Sequence, residues 1–272
     1  MHAFYSTFIA ATSATCLALT GQAAQVTITP TDSAGFLVGS FGNSNGGSSQ
    51  IEATTLIDSD GSLAINGDRT RYFITNTGMN LGLLNELSTF SFDWTVVQEG
   101  LTVPTAQAPA LRLAVTDPTT PDRTHEIIWE DGEQSTRQFV AGNGSLNTVY
   151  EGDFFDADAD KARVYAITSP FGSFGRGIFD GSSLIPGSDS AQPFANFTSD
   201  SLTAYGLSDQ AFVTAIVVGV GSSVGDFQGF ADNIEIGFDG GDVTTFNFAI
   251  PEPASIALIA VGLCAAGLRR RA

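Results

Sequence analysis

Thr89-Phe90-Ser91-Phe92-Asp93-Trp94-Thr95-Val96-Val97 is the stretch on which the fold turns. Its largest apolar side chains stand at Phe90, Phe92 and Trp94, with Ser91 and Asp93 between them. A period of two places all three aromatics on one face of a strand, whereas a helical period of 3.6 would scatter them. The segment 110–116 repeats the pattern. Leu111, Leu113 and Val115 alternate with Arg112 and Ala114, the mark of a half-buried strand.

Outward from these two, further strands are expected at 25–29, 51–57, 71–75, 126–130, 161–168, 212–220, 229–236 and 243–249. Clusters of Gly, Asn, Asp and Pro separate them. Helical periodicity is nearly absent between residues 25 and 250; short helical turns are expected only at 79–87 and 201–205. Loops rich in Gly and Ser are expected at 42–50 and 172–190. About ten strands without a dividing linker predict an all-β chain built as a single two-sheet β-sandwich of jelly-roll type. The 21 phenylalanines are ample filling between two sheets.

The two ends read differently from this body. Residues 4–19 are apolar and small, and Gly21-Gln22-Ala23 offers a small-x-small cleavage site, so 1–23 reads as a signal peptide cut after Ala23. Met1-His2-Ala3 lacks the usual Lys or Arg of such a segment. At the other end, Pro251-Glu252-Pro253 precedes an apolar run from Ile256 to Leu268 and then Arg269-Arg270-Arg271. As a helix that run is about 20 Å long, against a hydrocarbon thickness of about 30 Å, which suits a transient anchor better than a permanent one. The arginines hold its end on the cytoplasmic side. The expected division is 1–23 signal helix, 24–250 sandwich and 251–272 tail with a short transmembrane helix. Cys16 and Cys264 are the only cysteines and lie in the two removable segments, so the sandwich has neither a disulfide nor a thiol nucleophile.

Pro251-Glu252-Pro253, the apolar helix and the arginine cluster resemble the PEP-CTERM sorting signal of Gram-negative bacteria. That resemblance implies an exosortase, a membrane-embedded transpeptidase, as partner alongside the secretion machinery. It also implies delivery through the cell envelope to the cell surface or extracellular matrix. In the body, 90–94, 108–113 and 127–130 resemble strand blocks of exported PEP-CTERM proteins. Gly229-Phe230-Ala231-Asp232-Asn233-Ile234-Glu235-Ile236 is similar to a late strand of lectin-like jelly rolls, which implies a sandwich and contact with glycans or exopolysaccharide.

Composition narrows the function. The chain has 11 basic and 29 acidic residues and a net charge of −18, and three of the basic residues are the terminal arginines. Such a surface repels nucleic acid. His125 is the only histidine outside the signal segment, so a polyhistidine zinc site is excluded. No Gly-x-Ser-x-Gly elbow accompanies it, and its place at a strand start predicts an exposed edge position. Glu126 and Glu130 share a strand face about 13 Å apart, too far for a glycosidase pair, and read as solvated.

Calcium is the one cofactor the acidic turns could take. Asp58 and Asp60 present oxygens at alternate positions, as do Asp156, Asp158 and Asp160, and the jelly-roll resemblance adds Asp232. Neither run completes an EF-type loop. Trp94, Trp129, Phe227 and Phe230 are the available sugar platforms, yet aromatics alternating within strands belong to a core. The expectation is a non-enzymatic, exported structural or glycan-contacting sandwich. A carbohydrate-binding module with a defined saccharide site is the first alternative, and a carboxylate-dependent glycoside hydrolase the second.

Overall fold

A computed structural model describes residues 23–41, 47–67, 69–98, 108–131, 146–155, 162–170, 183–184, 202, 207–220 and 226–251. The chain is all-β, with two sheets packed as a sandwich. The first sheet contains β1 (Ala24–Ile28), β3 (Ser48–Glu52), β4 (Ser62–Asn66), β7 (Leu87–Gln98), β10 (Tyr150–Asp153), β14 (Gln228–Phe238) and β15 (Thr244–Phe248). The second contains β2 (Leu37–Phe41), β5 (Arg71–Thr75), β6 (Gly82–Leu83), β8 (Ala110–Thr116), β9 (Arg123–Asp131), β11 (Ala162–Pro170), β12 (Ser183–Leu184) and β13 (Phe212–Gly219).

The alternation in β7 does what its spacing demands. Phe90, Phe92 and Trp94 all lie in the core, each at most 1% exposed. Phe92 meets Trp129 of β9 edge to face at 5.4 Å, and Tyr72 of β5 meets Phe248 of β15 in the same way at 5.6 Å. Both contacts run from one sheet to the other, and aromatic edges on faces add to the area they bury.

Several local expectations are corrected. The strand expected at 51–57 is Ser48–Glu52, and the loop expected at 42–50 is therefore strand from Ser48 onward. Strands β2, β4 and β10 carry too few large apolar residues in alternation to announce themselves. Within 79–87 the helical turn is a single 3₁₀ turn, Leu84–Glu86, between β6 and β7. Most of 172–190 and 201–205, the signal helix and the helix from Ile256 lie outside the described residues. Among the described residues no helix is long and apolar enough to cross a membrane.

Strand β8 is not half-buried. Ala110 through Val115 are all buried, and Arg112 is 1% exposed on the face turned away from the core. Its charge is matched by Glu126 on the neighbouring strand, Nη1 to Oε2 at 3.4 Å. A charged side chain tolerates that depth only with such a partner.

One irregularity positions everything that follows. Strand β7 pairs with β14 along its length, from Gln98 opposite Gln228 to Leu87 opposite Phe238. The other edge of β14 must then serve two partners in turn: β4 over 228–231 and β15 over 234–236. Asp232 and Asn233 fall at the changeover. Asn233 takes a left-handed φ of 47°, and the register opposite β7 slips between Asp232 and Glu235, as at a β-bulge.

Candidate functional site

Where β14 changes partner, ladder hydrogen bonds are missing and side chains must replace them. Asp232 does so. Its Oδ1 accepts the backbone N–H of Phe248 at 2.9 Å and that of Asn233 at 2.8 Å. The residue is 0% exposed, and its Oδ2 has no hydrogen-bond partner. Ser62, at the start of β4, gives its proton to the Gly61 carbonyl at 2.6 Å.

Asn247 stands one residue before Phe248 and is 5% exposed. It points away from the core, because its neighbours Phe246 and Phe248 point into it. Its Nδ2 donates to Asp60 Oδ2 at 3.0 Å, while its Oδ1 is buried without a partner. Asp60 is exposed on its outer side, and its carbonyl accepts the Ile250 N–H at 2.7 Å. Gly61 makes this approach possible. Its φ is +136°, and a Cβ there would stand 3.0 Å from Ile250 N, 3.2 Å from Glu52 O and 3.3 Å from Phe248 O.

Burial pushes the Asp232 carboxyl up to about 7, against an ordinary value of 3.8. The Phe248 and Asn233 N–H groups pull it down, and the Asp60 carboxylate adds to the rise. Beside the cluster, Ala53, Thr54, Thr55, Ser59, Asp60, Ile250 and Pro251 line an open hollow of about 520 Å³. It has hydroxyls and one carboxylate but no aromatic wall.

Thus Asp60 and Asp232, remote in sequence, come together, while Asp58 turns its Oδ1 to the Ser59 N–H at 2.7 Å. Asp156, Asp158 and Asp160 lie outside the described residues, as do Glu252, Pro253, Arg269, Arg270 and Arg271. Ala23 is exposed immediately before β1, and Pro251 is exposed two residues after Ala249 leaves its pairing with Ile28. Among the described residues no three His, Cys, Asp or Glu side chains converge on one point. Sequence reading missed Asn247 and Ser62. The available signal was an amide between two phenylalanines in the last strand.

The remaining candidates resolve into core. Trp94, Trp129, Phe227 and Phe230 are all buried. His125 is corrected: it is 3% exposed, because β9 is flanked by β8 and β11 and is no edge. Its Nε2 is 3.0 Å from Thr120 Oγ1. Burial lowers its pKa, Asp117 opposes that, and Arg123 reinforces it. Glu126, expected to be solvated, is buried against Arg112.

A protein-family model, the PEP-CTERM protein-sorting motif, matches residues 249–271. No curated protein and no solved structure matches the chain. The motif begins at Ala249, one residue after β15 ends, so the sorting segment follows the sandwich without a spacer. It marks an exported protein that passes through the cell envelope to the surface and is an exosortase substrate.

Proposed function

We propose that residues 24–250 form a non-catalytic structural or glycan-contacting component of the cell surface or extracellular matrix. In this reading residues 1–23 are removed as a signal peptide. The tail from Pro251 onward anchors the chain transiently until the exosortase acts, leaving an acidic sandwich among exopolysaccharide and other matrix components.

The observation that carries the structural role is the burial of the aromatics. Trp94 is 0% exposed, Trp129 2%, Phe227 1% and Phe230 6%, so none offers a face for a sugar ring. The burial of the side chains that catalysis would draw on supports a non-catalytic reading. His125 and Glu126 are buried and engaged, and Asp232 lies too deep to meet a polymer. A saccharide site on the second sheet would draw on Arg71, Arg112 and Glu126, which lie on its face opposite the core. Each is 5% exposed or less, which weighs against direct contact.

The test is a glycan array on the processed protein recovered from culture, run with calcium and with chelator, together with fractionation of the matrix. Co-fractionation with extracellular polymer and no discrete saccharide on the array is the expected result. Specific retention of one saccharide would replace this reading with a lectin, and glycan cleavage would replace it with a hydrolase.

A further inference from the structure

We propose that Asp60, Asp232 and Asn247 bind one hard divalent cation of the calcium kind, which locks the strand leading into the sorting motif. The starting point is two acceptors with nothing to accept. Asp232 Oδ2 and Asn247 Oδ1 are buried, and neither accepts a hydrogen bond from the described residues; the Ser62 hydroxyl beside Asp232 is turned to the Gly61 carbonyl at 2.6 Å. The large majority of buried side-chain polar atoms in proteins are satisfied, and leaving one unsatisfied is costly.

The two acceptors belong to one place. Asn247 is fixed to Asp60 through Nδ2 at 3.0 Å, and Asp232 is fixed to the next residue, Phe248, at 2.9 Å. Asp60 also acts electrostatically on Asp232. Among the described residues neither carboxylate is in an ion pair. Two carboxylates and an amide carbonyl, with no nitrogen or sulfur donor, form a set for a hard cation rather than zinc or copper. Calcium takes six to eight oxygens in flexible geometry, so water from the exposed side of Asp60 would complete the shell. Magnesium, which demands a tight octahedron, fits a carboxylate–amide set less well.

The site joins three segments: the turn before β4, the changeover in β14, and β15. Asp60 also holds Ile250 N–H, the last residue before Pro251 begins the Pro-Glu-Pro stretch. A bound cation therefore stiffens the strand from which the sorting tail departs. The site would load outside the cytoplasm, where extracellular modules bind calcium with Kd of about 10⁻⁴–10⁻³ M.

The full chain, purified in detergent and stripped with EGTA, is titrated calorimetrically with CaCl₂ and separately with MgCl₂. One equivalent of calcium should bind. At about 10 mM it should raise Tm by about 3–10 °C and slow amide exchange at Phe248 and Ile250, with magnesium weaker. Asp232→Asn keeps the shape of the side chain, and Asp60→Asn alters an exposed one. Each should weaken calcium binding at least about tenfold, and the metal-free melting of each variant reports its folding. Coincident wild-type melting curves with calcium and EGTA, without binding heat, would overturn the site and assign both oxygens to buried water. A calcium shift undiminished in Asp60→Asn and Asp232→Asn would overturn it equally.

Discussion

Asp117 and Ser208, 91 positions apart, are joined twice: Asp117 Oδ2 accepts the Ser208 N–H at 2.5 Å, and Oδ1 accepts its hydroxyl at 2.8 Å. Thr119 adds its own N–H at 2.8 Å and its hydroxyl at 2.7 Å to Oδ1. One carboxylate thus ties the turn between β8 and β9 to the segment that enters β13. Burial alone would raise its pKa, but these four donors prevail and hold it below 3.8.

Replacing Asp117 by Ala strands those donors in a site where the residue is 0% exposed. The expected loss is about 2–4 kcal/mol in urea unfolding at pH 7. The sign of the pH effect follows from a depressed folded pKa. The contribution is present above pH 3.8 and lost as pH falls through the folded value. The gap between wild type and Asp117→Ala should therefore narrow below pH 4, and a constant gap would refute the electrostatic account.

The Arg112–Glu126 pair makes a different prediction. Glu126→Met takes one carboxylate away from a buried guanidinium, which costs about 3 kcal/mol. Replacing both residues by Met removes the desolvation penalty together with the attraction, and should recover most of that loss. A double-mutant cycle over Arg112→Met, Glu126→Met and the two together, measured by chemical denaturation, checks this: the double loss should fall well short of the sum of the two single losses. If the two single losses simply add, the pair is not what admits charge at this depth.

Much of the sandwich could be read from the chain, and the reason is visible in β7. Phe90, Phe92 and Trp94 face a core that repays burial, so the alternation is strong. Arg71–Thr75 and Ala110–Thr116 were placed to the residue for the same reason. Strand β4, Ser62–Asn66, gave no comparable signal, since only Leu63 and Ile65 enter the core. The cluster at Asp232 was half legible. Asp60 and Asp232 are acidic residues in recognisable local patterns, whereas Asn247 joins them only because β14 changes partner beside it, a long-range pairing that local pattern does not encode.

Asp232 itself should destabilise the metal-free protein at neutral pH. Its folded pKa of about 7 lies above the ordinary 3.8, so its favourable contribution is complete below pH 3.8 and lost as pH rises through 7. In EGTA, Asp232→Asn should match or exceed wild type at pH 8. Wild type should gain on the variant by a few kcal/mol between pH 7 and pH 4, at about 1.4 kcal/mol per pKa unit. Comparing the two cancels His125, whose lowered pKa acts in both proteins and costs stability as pH falls below 6.5. Parallel pH profiles would mean that Asp232 is ionised in the fold.

The junction at Pro251 separates sorting from stability. Ile250 N–H makes the last backbone hydrogen bond of the described chain, and Pro251 has no N–H with which to continue the ladder. Pro251 is also exposed, so changing it removes little packing. Replacing Pro251, Glu252 and Pro253 together by Ala should leave the unfolding free energy within about 0.5 kcal/mol of wild type. In an exosortase-bearing host, the same variant should stay in the envelope fraction with its arginine-ended C-terminal peptide detectable by mass spectrometry. The wild-type protein should reach the surface without that peptide. Normal release of the variant, trimmed like wild type, would show that the Pro-Glu-Pro stretch is not what the enzyme reads.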